Sequence, residues 1–323
     1  MEYNKELTKR FVSDFKLPIA IISEPYFSYF INLYEDEFSS LSKYKELCDI
    51  VFNRYNGDAN VFLTEYYGIR DSIIKTVENG EPYKRFNTLS MSQYKVPNIN
   101  VSKNAVYNQS NIGKTFLSID LSTANFQALR WIDKNIVLGT ETYGDFIGKF
   151  TNLDYIKESK YTRQVIFGKL NPARHITVEK YLTYKVWKAY SENFAEQTNL
   201  ISFSNDELII EISANTCHPS AYEIEKYILD VLNLNVHAEY FFLEGIRLIK
   251  KSNGHFRDMC FVKHNLYDGK TKLMCVPLPY FAITYKLFHN MVLCEYDYHF
   301  NYEGIDCKFN EDFTLERINN NII

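Results

Sequence analysis

The 323-residue chain contains no run of about 18 apolar residues, so nothing in it reads as a membrane-spanning helix. Its opening, MEYNKELTKRFVSDF, is amphipathic and mixed in charge, and lacks the apolar core of a secretion signal. There is no C-x-x-C pair. Cys48, Cys217, Cys260, Cys275, Cys294 and Cys307 are scattered, which argues against a disulfide framework or a zinc cluster and for reduced thiols in a cytoplasmic protein. Positive charge is not in excess either. A net charge of −4 excludes a protein that clamps nucleic acid by its overall charge. No internal repeat and no low-complexity tract occurs before the terminal INNNII. No G-x-S-x-G and no Cys/His pairing offers a protein nucleophile. Gly113-Lys114-Thr115 lacks the preceding glycine of a P-loop and leads into a strand pattern rather than a helix.

What is present is apolar and aromatic. With 46% apolar residues, 26 Tyr and 24 Phe, the chain can bury a substantial core as one large domain or two to three small ones. Its charge is unevenly spread. Lys157, Lys160, Arg163, Lys169, Arg174, Lys180, Lys185 and Lys188 face only Glu158 and Glu179 within 155–190, whereas 290–323 is acidic. A charge run of this kind ordinarily marks a solvated helix face.

Periodicity divides the chain into three. Residues 1–110 read as helical, with i, i+3, i+4 spacing in LCDIVFNRY and YYGIRDSIIKTV and an Asn-, Ser- and Pro-containing connection from 86. In 111–249 the order is strand TFLSIDL, helix STANFQALRWI capped by Ser122 or Thr123, helical pieces over about 141–190 broken at Asn171-Pro172, strands LISFS and LIIEIS, helix SAYEIEKYILDVL, and strand VHAEYFFLEGI. Residues 250–323 read as mixed α/β, punctuated by Gly254, Gly269, Pro277 and Pro279, with a short helix in YFAITYKLFHNMV and a hairpin turning near Glu303-Gly304. One sheet layer covered by helices fits this order.

Two acidic points then stand out. Asp120 ends an apolar strand, where an unpaired carboxylate is costly unless it caps the next helix or binds a metal. Asp206 and Glu207 lie in the polar knot Ser204-Asn205-Asp206-Glu207, which is either ordinary turn chemistry or a pair of carboxylates held up for catalysis. If the first strand lies beside the hairpin, these groups converge. Mg²⁺ or Mn²⁺ takes such hard oxygen ligands together with substrate phosphates.

FLSIDLSTANFQALR resembles motif A of polymerase palm domains, and SNDELIIEI resembles motif C of family A DNA polymerases. The hairpin is also similar to those of tRNA-His guanylyltransferases and GGDEF cyclases. SKYTRQVIFGKLNP is similar to motif B, with Arg163 four positions before Phe167-Gly168. Asn205 stands in place of the motif C His and Asn125 in place of a Glu, so the resemblance is to the palm superfamily over roughly 115–246, not to one family. It implies an α+β palm, RRM-like, with an antiparallel sheet, helices on one face and a short fingers insertion. It implies that Asp120, the Leu121 carbonyl, Asp206 and Glu207 bind metal, that Arg163 holds a triphosphate and that Phe167 packs on a base; Lys160, Lys169 and Arg174, in the basic run between the two acidic motifs, are candidate cations for the triphosphate and for nucleic acid. The implied activity is two-metal nucleotidyl transfer from an NTP or dNTP, most directly to a DNA or RNA 3′ end. A cyclase or oligonucleotide-signal synthase, and a degenerate palm that only binds, share the same motifs.

Overall fold

The computed structural model describes residues 4–194, 199–213, 218–250 and 259–318. Cys217, Gly254 and the tract after Ile318 lie outside them. The molecule is mixed α+β, with a seven-stranded antiparallel sheet among the described residues.

The sheet is organised around β1 (Thr115–Leu121), whose seven residues, TFLSIDL, alternate between two different burials. Leu117, Ile119 and Leu121 enter the main core, whereas Phe116 enters a second cluster on the opposite face. Period-2 geometry places Ser118 and Asp120 on the Phe116 face. β1 pairs on one side with β3 (Glu207–Ile212), itself paired with β2 (Asn199–Phe203), and on the other with β4 (Val236–Lys250). Beyond β4 come β5 (Cys260–Asn265) and β6 (Thr271–Met274), giving the order β2–β3–β1–β4–β5–β6. A small hairpin, β7 (His299–Tyr302) and β8 (Ile305–Lys308), turns through Glu303 and Gly304, both at positive φ, and β9 (Phe313–Ile318) pairs with the far half of β4.

Helices cover the Leu117 face. α1 (Lys5–Phe15), α2 (Tyr26–Leu33), α3 (Glu35–Phe38), α4 (Ser40–Tyr55), α5 (Ala59–Asn79) and α6 (Glu81–Thr88) precede the sheet. α7 (Ala124–Ile132), α8 (Tyr143–Gly148), α9 (Asp154–Glu158), α10 (Lys160–Lys169) and α11 (Pro172–Asn193) fill the β1–β2 connection; α12 (Ala221–Leu232) joins β3 to β4, and α13 (Phe281–Phe288) follows β6. One cluster of buried side chains runs from Leu7 through Phe126, Leu182, Ile224 and Ile246 to Phe288. It crosses the division expected near 110, and β4 runs across the one expected at 249. No helix among the described residues is long and apolar enough to cross a membrane.

Local signals explain most boundaries. Pro172 at the first turn, after Asn171 in the left-handed region, starts α11. Ser220 and Glu223 form a reciprocal capping box on α12. The start of α7 departs from expectation. Thr123 is left-handed with φ 51° and makes no side-chain cap. Gln127 fixes that corner instead: its amide accepts from Asn235 N (2.7 Å) and donates to the Asn235 carbonyl (2.6 Å) and to the Ser122 carbonyl. A long-range contact to the α12–β4 loop thus replaces the local cap.

The other sheet face is covered only in part. Residues 102–113 run across it, burying Val106 and Ile112 against Phe116, Ile209, Phe241 and Leu243. Asn111 holds this strap by donating to the Ala105 and Val106 carbonyls (3.0 Å each), and Ile112 sits where a Cβ on Gly245 would collide. Tyr107 of the strap lies near enough to Glu207 and Glu239 for their charges to act on it.

Candidate active site

Antiparallel register brings the acidic points together. Asp120 pairs with Glu207 on β3 and with His237 on β4, so the three side chains form one row on one face. Ser118, one step along the same face, donates to Glu207 Oε1 at 2.6 Å. The turn that carries Asp206 is held from three sides. Ser204 N donates to the Glu207 carbonyl (2.8 Å), Leu121 N donates to the Asp206 carbonyl (2.7 Å), and Thr183 of α11 donates to the Asn205 carbonyl (2.8 Å). Within the turn, Ser204 Oγ accepts from Glu207 N at 2.9 Å and donates to Asp206 Oδ1 at 2.9 Å. Asp206 is solvent-exposed and bonds its own turn, as a simple hairpin tip does. Its charge nevertheless reaches Asp120.

Asp120 is the least satisfied of the three. Its carboxylate accepts no hydrogen bond and forms no ion pair among the described residues, so it does not cap α7. Burial, then the Asp206 and Glu207 charges, push its pKa up to about 7, against the pull of Lys160 and His237. The contrast lies two residues along β4. There Glu239 meets Lys263 and accepts from Asn265 Nδ2 at 3.2 Å. One carboxylate on this face is fully compensated and the other is left bare. Among the described residues no group of three or more His, Cys, Asp or Glu side chains is placed so that it could hold a metal ion.

The basic residues divide. Lys160 begins α10 and its charge acts on Asp120. Arg163, one turn later, lies 5.7 Å from the Tyr143 ring centre. Lys169 is exposed at the end of the same helix. Phe167 is 1% exposed and packs with Tyr143 inside the core, so its ring offers no face to a base. Its expected role rested on spacing, and the helix turns it inward. Arg174 points away from solvent chemistry: it donates to the Leu89 carbonyl and sits 5.4 Å from the Phe86 ring, tying α11 to α6. Arg174→Glu should therefore cost about 1–3 kcal/mol in urea unfolding, the scale of a lost charged hydrogen bond, with unchanged affinity for primed DNA. A selective loss of affinity at unchanged stability would return Arg174 to the binding surface.

Three contributors carried no sequence signal as site residues. Ser118 orients Glu207, and His237 completes the row, 3.4 Å from the Glu225 carboxylate. Lys16, more than 100 residues before Asp120 in the chain, comes close enough to Lys160 and Arg163 for their charges to act on it. No protein-family model, curated protein or solved structure matches this chain.

Proposed function

We propose that this chain is a palm-type nucleotidyltransferase that joins an NTP or dNTP to an acceptor hydroxyl, most directly a nucleic-acid 3′ end. The observation that carries the reading is the same-face register of Asp120 and Glu207 beside Asp206, with no ion pair or hydrogen bond to the Asp120 carboxylate among the described residues. The chain order β1–helices–β2–β3–α12–β4 and sheet order β2–β3–β1–β4 support it, because they are those of a split β-α-β unit.

The donor set suits Mg²⁺ or Mn²⁺. Asp120, Asp206 and Glu207 offer only hard oxygens, and the Leu121 carbonyl lies beside them in sequence. An incomplete protein cage is the usual state of a Mg²⁺ site whose remaining ligands are substrate phosphates and water. When bound, such ions lower the pKa of the attacking hydroxyl and offset charge on the leaving group. The chain's own residues do the rest. Asp120 and Glu207 are fixed by the ladder, Glu207 is aimed by Ser118, and Asp206 is held by the anchored turn. Lys160 and Arg163 stand ready to take phosphate charge. The acceptor oxygen attacks the α-phosphorus, its bond to the bridging oxygen breaks, and pyrophosphate leaves.

Labelled NTPs and dNTPs, with Mg²⁺ or Mn²⁺ and with or without primed template, test this by product separation. Primer extension with pyrophosphate release is expected. A product formed from NTP alone moves the reading to a cyclase or oligonucleotide synthase. Binding without any pyrophosphate release overturns the enzyme.

A further inference from the structure

We infer that Lys16, Lys160 and Arg163 form one cradle for a polyphosphate chain, with the first cation supplied by the helical region that precedes the sheet. Its geometry stands on its own; only the identification of the ligand as a nucleotide's triphosphate rests on the nucleotidyltransferase reading.

The cradle is assembled by a buried joint. Asp14 of α1 accepts from Ser159 Oγ at 2.9 Å, and Ser159 also caps α10 by accepting from Thr162 N at 3.0 Å. Lys16 follows Asp14 by two residues and Lys160 follows Ser159 by one. The joint thus sets the two lysines side by side at the end of α1 and the start of α10. The Arg10 guanidinium, 4.0 Å from the Tyr161 ring centre, stiffens the same contact.

The three cations have no counter-charge. None forms an ion pair among the described residues, although Lys157 and Lys188, in the same stretch of chain as Lys160 and Arg163, do pair with Asp154 and Glu192. Burial and the charges of Lys160 and Arg163 lower the Lys16 pKa. Lys160 also acts on Asp120, so a basic cluster without ion pairs adjoins an acidic one without ion pairs, near enough for charge to be felt and without closing onto it. A ligand of many negative charges that brings divalent ions satisfies both at once. A single phosphate offers fewer anionic oxygens to share between the two clusters.

Lys16 is also costly where it is. It closes α1 in the left-handed region, φ 51° and ψ 43°, where glycine is the favoured residue. Substitution to glycine therefore separates architecture from binding, because the helix end gains while the cation is lost.

Calorimetric titration of the full chain with inorganic tripolyphosphate, with and without Mg²⁺, is the test. Wild type should bind one equivalent, with affinity falling as salt rises. Lys16→Gly should raise Tm yet weaken binding by about tenfold, the scale of one charge-assisted contact, and Lys160→Ala should weaken it similarly. Lys169→Ala should leave it unchanged. Wild-type affinity in Lys16→Gly overturns the cradle, as does equal affinity for inorganic phosphate. The two readings fail separately. Tripolyphosphate binding that depends on Lys16 in a chain that never turns over NTP keeps the cradle and removes the transferase. Nucleotide turnover by a chain indifferent to Lys16 does the reverse.

Discussion

Asp120→Asn should reduce nucleotidyl transfer by at least about 10³-fold, equivalent to about 4 kcal/mol of transition-state stabilisation, and should make the metal-free protein more stable at neutral pH. The two effects have one cause. Asp120 is half-buried, close to the Asp206 and Glu207 charges, and bonded to nothing among the described residues, so its pKa rises from the ordinary carboxylate range to about 7. A carboxyl whose pKa is higher folded than unfolded favours the native state while it stays protonated. That contribution is complete below about pH 4, and it is lost as pH rises toward 7. The full shift corresponds to about 4 kcal/mol, which partial solvation reduces to about 2–3 kcal/mol. Asparagine keeps the shape and carries no charge. In EDTA, urea unfolding at pH 4 should barely separate the two proteins, whereas at pH 7.5 the variant should be the more stable. Mg²⁺ should then raise the Tm of wild type more than that of the variant. A variant less stable than wild type at pH 7.5 would mean that Asp120 makes a structural contact, and the metal-site reading would lose its main support.

The parts of this arrangement that were legible in the sequence are those written in short-range pattern. The run TFLSIDL, the interrupted pair LISFS and LIIEI, and the Asn171-Pro172 break each depend on residues within a few positions of one another, and each element formed where its periodicity placed it. That β1 lies beside β3 was only a condition in the sequence; the pairing itself supplies it, and register then puts Asp120 opposite Glu207. What depended on contacts between distant segments was not legible. Nothing local distinguishes Arg174, which holds the Leu89 carbonyl, from Lys169, which is exposed. Phe167 matched a spacing rule, but the face of α10 it occupies is set by α8 and the core. Lys16 became a site residue only because α1 docks on α10. In 250–323 the short strands β5 and β9 gained their places from β4, whose 15 residues continue beyond the LEGI at which the sequence pattern ended, and β6 gained its place from β5.

Asp14→Ala should be strongly destabilising, by about 3–5 kcal/mol, and should damage the phosphate cradle from a distance. Asp14 is fully buried. It accepts from Tyr66 Oη at 2.6 Å, Tyr155 Oη at 2.8 Å and Ser159 Oγ at 2.9 Å, and faces Arg10 Nε at 3.4 Å. One carboxylate therefore joins α1 to α5, α9 and the cap of α10. Burial pulls its pKa upward and outweighs the opposing pull of these donors and Arg10. A buried ion pair of that kind adds little compared with apolar packing, but removing one partner leaves the other uncompensated. Alanine would leave Arg10, 8% exposed, without its carboxylate and the Tyr155 hydroxyl without its acceptor, whereas Tyr66 and Ser159 would keep the Thr162 hydroxyl as a partner. Asp14→Asn retains an acceptor oxygen and the volume, and should cost about half as much; Tyr155→Phe, which removes one donor, should cost about 1 kcal/mol. Urea unfolding measures the series. The cradle supplies the second readout: if the joint positions Lys16 against Lys160, tripolyphosphate affinity should fall in Asp14→Asn under conditions where the protein remains fully folded, while Tyr155→Phe, which leaves the Asp14–Ser159 bond in place, should bind as wild type does. Equal affinity in all three folded proteins would mean that α1 and α10 hold their cations together without Asp14, through the aromatic contacts of Arg10 alone.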